Sequence, residues 1–138
     1  ANCVLHACRL SKHPRTTKEI AEMFGIQPKD VSRTTQLFKD KVEAHTKNVF
    51  VTKAYDVMNR LLNSFEVTKD ERLQCLKLCD RTEKCVKLMS KTPNSVASVI
   101  IFIVIGHRVT KQELCAKCAV SVPTLNKIEI IVRNFLAV

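Results

Sequence analysis

A chain of 138 residues with 23 Lys and Arg against 13 Asp and Glu, a formal net charge of +10, can build one compact core or about one and a half smaller helical units. Two glycines in the whole chain leave no Gly-rich phosphate loop and no low-complexity segment, and the scarcity of alternating apolar and polar runs points to an all-α protein. A positive surplus of this size on such a chain looks for a polyanion, DNA or RNA first.

The chain opens at Ala1, without Met, in what reads as an ongoing helix, so a piece of a longer protein is expected. Residues 1–10 form the last turns of that helix with Val4, Leu5 and Ala7 or Cys8 inward. Ser11 to Arg15 is a loop in which Pro14 stops the helix from running through. Thr16-x-x-Glu19 is a capping box opening a short helix, Thr17 to Phe24, which Gly25 ends by taking a left-handed conformation. Pro28 then stands in the first turn of a second, longer helix running to about Val42. Its outer face carries Lys29, Ser32, Arg33 and Gln36, residue types suited to phosphates or base edges.

The polar stretch from Glu43 to Val51 is the candidate linker. An amphipathic helix follows from Thr52 to Phe65, with Ala54, Tyr55, Met58, Leu61, Leu62 and Phe65 on one face. Thr68-x-x-Glu71 opens a helix to about Met89, with Leu73, Leu76, Cys79, Val86 and Met89 inward and a break expected at Asp80 to Lys84. Thr92-Pro93 starts the next element. The decamer Val96 to Ile105 is apolar on all sides and rich in β-branched residues, which by propensity alone is a buried strand. Its Pro-Asn-Ser-Val-Ala start, and its place ahead of the next helix pair, make it instead the central helix of a bundle. It is shorter than the roughly 20 residues a bilayer-crossing helix takes. No secretory, transit or lipidation motif is visible, which points to a soluble intracellular protein.

The last third restates the first. Sliding Thr16 to Phe38 forward 94 positions onto Thr110 to Val132 brings Ile20 onto Leu114, Ile26 onto Val120, Val31 onto Leu125 and Leu37 onto Ile131. Thr110-x-x-Glu113 repeats the capping box, and a break at Cys118-Ala119-Val120 answers Phe24-Gly25-Ile26. Each copy is a short helix, a turn and a longer helix, the outline of a helix-turn-helix.

Seven cysteines include Cys115-x-x-Cys118, a spacing compatible with zinc or redox chemistry, with Cys75, Cys79 and Cys85 not far away in sequence. The repeat argues for packing instead: Cys115 falls on Ala21 and Cys118 on Phe24, both expected to face the core, where a thiol behaves as a small hydrophobe. The histidines His6, His13, His45 and His107 are scattered without a paired carboxylate or nucleophile, so no enzyme is expected.

Ala7-Cys8-Arg9 followed by Pro14-Arg15-Thr16-x-Lys18-Glu19-Ile20, and Pro93-Asn-Ser-Val-Ala97 followed by Thr110-Lys-Gln-Glu-Leu114 and Val120-Ser-Val-Pro-Thr-Leu125, carry a resemblance. In order and spacing they resemble the core of transcription factor IIB, with two cyclin-like five-helix repeats, the third helix of each at the centre and the last two forming a helix-turn-helix. The resemblance implies that residues 1–47 are the last three helices of repeat one plus linker, and that 48–138 are a whole repeat two. It implies a general initiation factor that docks on TATA-binding protein and promoter DNA and helps recruit RNA polymerase. A zinc ribbon would stand upstream in the parent protein, with no cofactor in this part.

The same resemblance aims the last helix into the major groove, with Ser121, Pro123, Thr124, Asn126, Lys127 and Arg133 on or beside it. The arginine that reads the upstream element in the family is Asn126 here, followed by Lys127, and Glu129 one turn on would oppose phosphate. Basic residues outnumber acidic ones nine to five over residues 1–47, eight to six over 48–90 and six to two over 91–138, so the surplus sits with the helix-turn-helices. High Cys and Ile content resembles a homologue from a large DNA virus, placing the protein in a viral factory or virion, or in the nucleus if it is cellular. A cyclin-type subunit regulating a kinase is the alternative; it would share the five-helix repeat without needing a basic surplus near its last helices.

Overall fold

The apolar decamer is helical. A computed structural model describes residues 1–42 and 51–137, and every regular element among them is a helix. In order these are α1 (Asn2–Leu10), α2 (Thr17–Phe24), α3 (Pro28–Val42), α4 (Ala54–Leu62), α5 (Lys69–Thr82), α6 (Pro93–Ile105), α7 (Lys111–Cys118) and α8 (Val122–Leu136), with a single 3-10 turn at Val86–Leu88. The chain divides into two units, Ala1–Thr52 and Lys53–Val138. The linker expected over residues 43–51 lies, apart from Val51, outside the described residues.

The second unit is built around α6. Every residue from Ser95 to Ile101 is buried, as is Ile105, and α4, α5, α7 and α8 all pack against this helix. A helix without a polar face can satisfy its side chains only by being enclosed, at about 2–3 kcal/mol for each fully buried Ile. Its two buried hydroxyls are satisfied locally: Ser98 donates to the Asn94 carbonyl at 2.6 Å, and Ser95 pairs with Thr92 at 2.7 Å. Thr92 is the N-cap residue, but its hydroxyl serves Ser95 rather than a backbone amide.

The ends of α6 are tied to its neighbours. The Asn94 amide donates to the Cys118 carbonyl at 3.5 Å, capping the exit of α7. Gly106 follows the last turn, where a Cβ would collide with the Phe102 carbonyl oxygen. Arg108, in the connector to α7, donates to the Glu66 carbonyl at 2.8 Å and to Glu71 at 2.6 Å, and so grips the start of α5.

The α4 and α5 faces differ in detail from the sequence reading. On α4, Val57 is buried and Tyr55 is exposed; Asp56 accepts the Lys53 amide at 2.9 Å and fixes the helix start two residues later than expected. On α5 the inward residues are Cys75, Cys79 and Thr82, followed by Cys85 and Leu88, whereas Leu73, Val86 and Met89 are exposed. The expected break is there, because α5 ends at Thr82 and the 3-10 turn restarts the chain in a new register. Cys79 is inward as expected and Leu76 is half-buried against the core, while Cys75 and Cys85 add core positions not expected from the sequence. Burial pushes the Cys75 thiol up to about 11 and the Cys79 thiol up to about 12, and it raises Cys115 and Cys118 as well, so these groups sit as protonated thiols at neutral pH.

In the first unit a smaller core of Leu5, Ile20, Ala21 and Val31 joins α1 to α2 and α3. Val4 and Ala7 face outward and Cys8 is half-buried, so Leu5 alone carries the inward face of α1. The Asn2 side chain fastens α1 to α3, donating to Thr34 Oγ1 at 2.8 Å and accepting from Thr35 at 3.2 Å.

The helix pair recurs with identical lengths at the 94-residue offset: α2 and α7 have 8 residues each, α3 and α8 have 15. The turns agree too. Gly25 and Ala119 are both left-handed, at φ 64° and 55°, and the next residue of each donates five back, Ile26 to Ala21 at 3.0 Å and Val120 to Cys115 at 3.1 Å. Ile20 and Leu114, Ala21 and Cys115, Val31 and Leu125 are buried alike.

Three correspondences are weaker than the sequence suggested. Phe24 is 49% exposed while Cys118, on the side of α7 packed by α6, is 1% exposed. Leu37 is exposed where Ile131 is half-buried. The capping boxes of α2 and α5 are reciprocal, but at α7 the Thr110 hydroxyl accepts from Glu113 while the Glu113 carboxylate pairs with Lys117 at 3.1 Å.

An L side chain costs about 1 kcal/mol more than Gly in the left-handed region. Ala119→Gly should therefore raise stability by about 0.5–1 kcal/mol, and Gly25→Ala should lower it by a similar amount, both read by urea denaturation.

Candidate nucleic-acid interface

The α8 helix divides cleanly into two faces. Leu125, Ile128, Val132 and Leu136 are buried, a spacing of three and four that turns one stripe onto α6. Pro123, Asn126, Lys127, Ile130 and Asn134 form the opposite, exposed stripe, with Ser121 exposed at its head. The Ser121 hydroxyl caps the helix, pairing with Thr124 Oγ1 at 2.8 Å and accepting the Thr124 amide at 3.4 Å. Proline at the second helical position forfeits no hydrogen bond there. The structure thus brings Ser121, Pro123, Thr124, Asn126 and Lys127 together on the first turns of α8.

Arg133 lies apart from this group. It stands about two turns beyond Asn126, is half-buried, and its Nε donates to Glu129 Oε1 at 2.8 Å. Two members of the outward stripe were missed in the sequence, Ile130 and Asn134. Ile130 is 63% exposed, and its position four residues after Asn126 was the available signal.

Glu129 is the hub of a small network. Lys111, the first residue of α7, donates to Glu129 Oε2 and to Asn126 Oδ1, both at 2.7 Å. The ring of Phe102 from α6 lies 5.2 Å from the same ammonium. Burial pushes the Glu129 carboxyl up, but the hydrogen bonds from Lys111 and Arg133 outweigh it and hold the group below the usual carboxylate range. The one acidic group near the stripe is therefore an ion compensated by two cations.

In the first unit, Lys29, Ser32, Arg33 and Gln36 are all exposed on α3, the helix that corresponds to α8. Arg33 lies 3.5 Å from Asp30, one turn back, and Gln36 donates to Asp40 at 2.9 Å. An exposed pair at that distance is weak, which leaves the Arg33 guanidinium able to turn toward a ligand.

No protein-family profile matches the sequence. Individual relatives do. Transcription initiation factor IIB of Pyrococcus furiosus is 26% identical over 137 residues, covering 97% of this chain and 43% of its own length. Transcription initiation factor IIB 1 of Thermoplasma volcanium is 26% identical over 128 residues, covering 91% of this chain and 40% of its own. A putative transcription initiation factor IIB-like protein of Acanthamoeba polyphaga mimivirus is 25% identical over 137 residues, 93% of this chain and 30% of its own.

Over nearly its whole length the chain is similar to proteins named transcription initiation factor IIB. It spans less than half the length of these relatives, and they come from archaea and a large DNA virus alike. Its all-helical architecture, with α6 enclosed and a helix-turn-helix closing the unit, is consistent with the cyclin-like fold expected from the resemblance to factor IIB. Among the described residues no helix is long and apolar enough to cross a membrane.

The network gives the unit an acid limit. Glu71, held down by the Thr68 backbone amide and, against burial, by Arg108, behaves like Glu129. A carboxyl whose pKa is depressed in the fold adds stability above its unfolded value of 4.5 and loses it as pH falls through the lower folded value. Urea denaturation should show level stability down to about pH 4.5 and a decline below it, and Glu129→Gln should make that decline shallower.

Proposed function

We propose that this chain is the promoter-binding part of a general transcription initiation factor of the IIB type. On this reading residues 1–47 hold the last three helices of a first cyclin-like repeat and its linker, and 48–138 hold a second repeat. The protein docks on TATA-binding protein at promoter DNA and helps recruit RNA polymerase, with a zinc ribbon upstream in the parent protein. It acts in the nucleus or, for a viral protein, in the cytoplasm.

The observation that carries this reading is the exposed stripe opening α8, on the second helix of a helix-turn-helix, in a chain similar to factor IIB. Ser121, Pro123, Thr124, Asn126 and Lys127 would enter the major groove, with Lys127 on phosphate and Asn126 at a base edge. Lys29, Ser32 and Arg33 on α3 would make the corresponding contacts from the first unit. The net charge of +10 supplies the long-range attraction to DNA. Glu129 was the feature most opposed to a phosphate partner, and its pairing with Lys111 and Arg133 removes that opposition. Arg133 contributes less than Lys127, because its Nε is already engaged.

Fluorescence anisotropy with a promoter duplex at 50 and 200 mM salt tests the reading. Affinity should fall steeply with salt; Lys127→Ala should reduce the log–log slope by about 1 and Arg133→Ala by less. A flat salt response, or a Lys127→Ala slope equal to wild type, would sink it.

A further inference from the structure

We propose that Lys111 sets the base preference of α8 by occupying the acceptor of Asn126, so that this amide meets DNA as a hydrogen-bond donor and selects guanine over adenine. The inference rests on the promoter-binding reading above.

An ammonium can only donate, so the amide atom 2.7 Å from Lys111 Nζ must be the oxygen, and the Nδ2 group must point the other way. Lys111 is held from three sides. Two of its protons are engaged by Asn126 Oδ1 and Glu129 Oε2, and the Phe102 ring faces it at 5.2 Å. Glu129 is itself anchored by Arg133 from the same helix, one turn on. The amide is therefore oriented by groups on three helices, α6, α7 and α8, while Asn126 as a whole remains exposed.

An asparagine that reads adenine does so bidentately, accepting from N6 with its oxygen while donating to N7. That arrangement needs a free oxygen and tolerates an amino group beside it. At Asn126 the oxygen carries a cation, which weakens it as an acceptor and repels the positive N6 amino group. Guanine offers N7 and O6, two acceptors and no donor on that edge, which suits an outward Nδ2 group. The charge that Lys111 brings is thus spent on orienting Asn126 and neutralising Glu129 rather than on phosphate.

The test measures binding of the 138-residue chain to duplexes in which each base pair of the bound site is varied in turn. Wild type should prefer G·C over A·T at one position by about 5- to 10-fold. Lys111→Met keeps the aliphatic stem over Phe102 but frees the Asn126 oxygen, and should remove or reverse that preference. Lys111→Arg retains a donor and should keep it. Asn126→Ala should abolish the preference at that position, with Lys111→Met causing no further change in its background.

Asn126 is exposed, so that variant should fold whatever Lys111→Met does to stability. Retention of the wild-type guanine preference in Asn126→Ala, or an unchanged preference in a folded Lys111→Met, overturns the inference while leaving DNA binding intact. Absence of salt-sensitive binding by wild type to any duplex overturns the promoter-binding reading, and this inference with it.

Discussion

A helix with no polar side has to be surrounded, and α6 is such a helix. Once Val96 to Ile105 is committed to the interior, α4, α5, α7 and α8 must each turn an apolar stripe toward it. The Leu125, Ile128, Val132 and Leu136 stripe of α8 is spent on that enclosure, and the opposite stripe is left to solvent. The ties at the ends of α6, Asn94 to the exit of α7 and Arg108 to the start of α5, fix how the surrounding helices are staggered. The outward stripe of the helix-turn-helix is thus a consequence of core burial.

Charge is arranged on top of that frame. Surface lysines and arginines give the chain its positive field, yet those around α8 are not equivalent. Lys127 is exposed, Lys111 is tied into the Asn126 and Glu129 network, and Arg133 neutralises Glu129. Counting basic residues overstates how many can reach phosphate, and counting acidic ones overstates the repulsion. Similarity to transcription initiation factor IIB and this division of labour both favour the proposed promoter-binding role.

Much of the architecture was legible because its punctuation is strong. The Thr16-x-x-Glu19 box and Gly25 gave the bounds of α2 to the residue, Pro28 marked the start of α3, and the 94-residue repeat carried the same helix pair to α7 and α8. The interior of α5 was partly misjudged because leucine was weighted above cysteine: Cys79 is enclosed as expected, but Cys75 takes the core position next to it while Leu73 is exposed. Periodicity also fails across the 3-10 turn, which resets the register and turns Val86 and Met89 outward. Phe24 was expected to face the core and Leu37 was aligned with Ile131, but Phe24 and Leu37 are exposed where Cys118 is buried and Ile131 half-buried, so the repeat carries the backbone pattern further than side-chain burial. At the candidate site, exposure of Lys29, Ser32 and Arg33 followed from helical period, whereas Asn126 and Lys127 were placed on the outward face by the resemblance to factor IIB. The role of Lys111 followed from neither, because it stands 15 residues from Asn126 and 18 from Glu129, and only the folded turn between α7 and α8 brings them together.

The central claim is that the outward stripe of α8, created by burial of α6, is the surface that meets promoter DNA. Backbone amide shifts followed by NMR during titration with a promoter duplex test it most directly. The account predicts that the largest changes fall on Ser121 to Lys127 and Ile130, with α3 responding from Lys29 to Gln36 and the outer face of α5 unaffected. Changes centred on α4 and α5, with α8 silent, would contradict it.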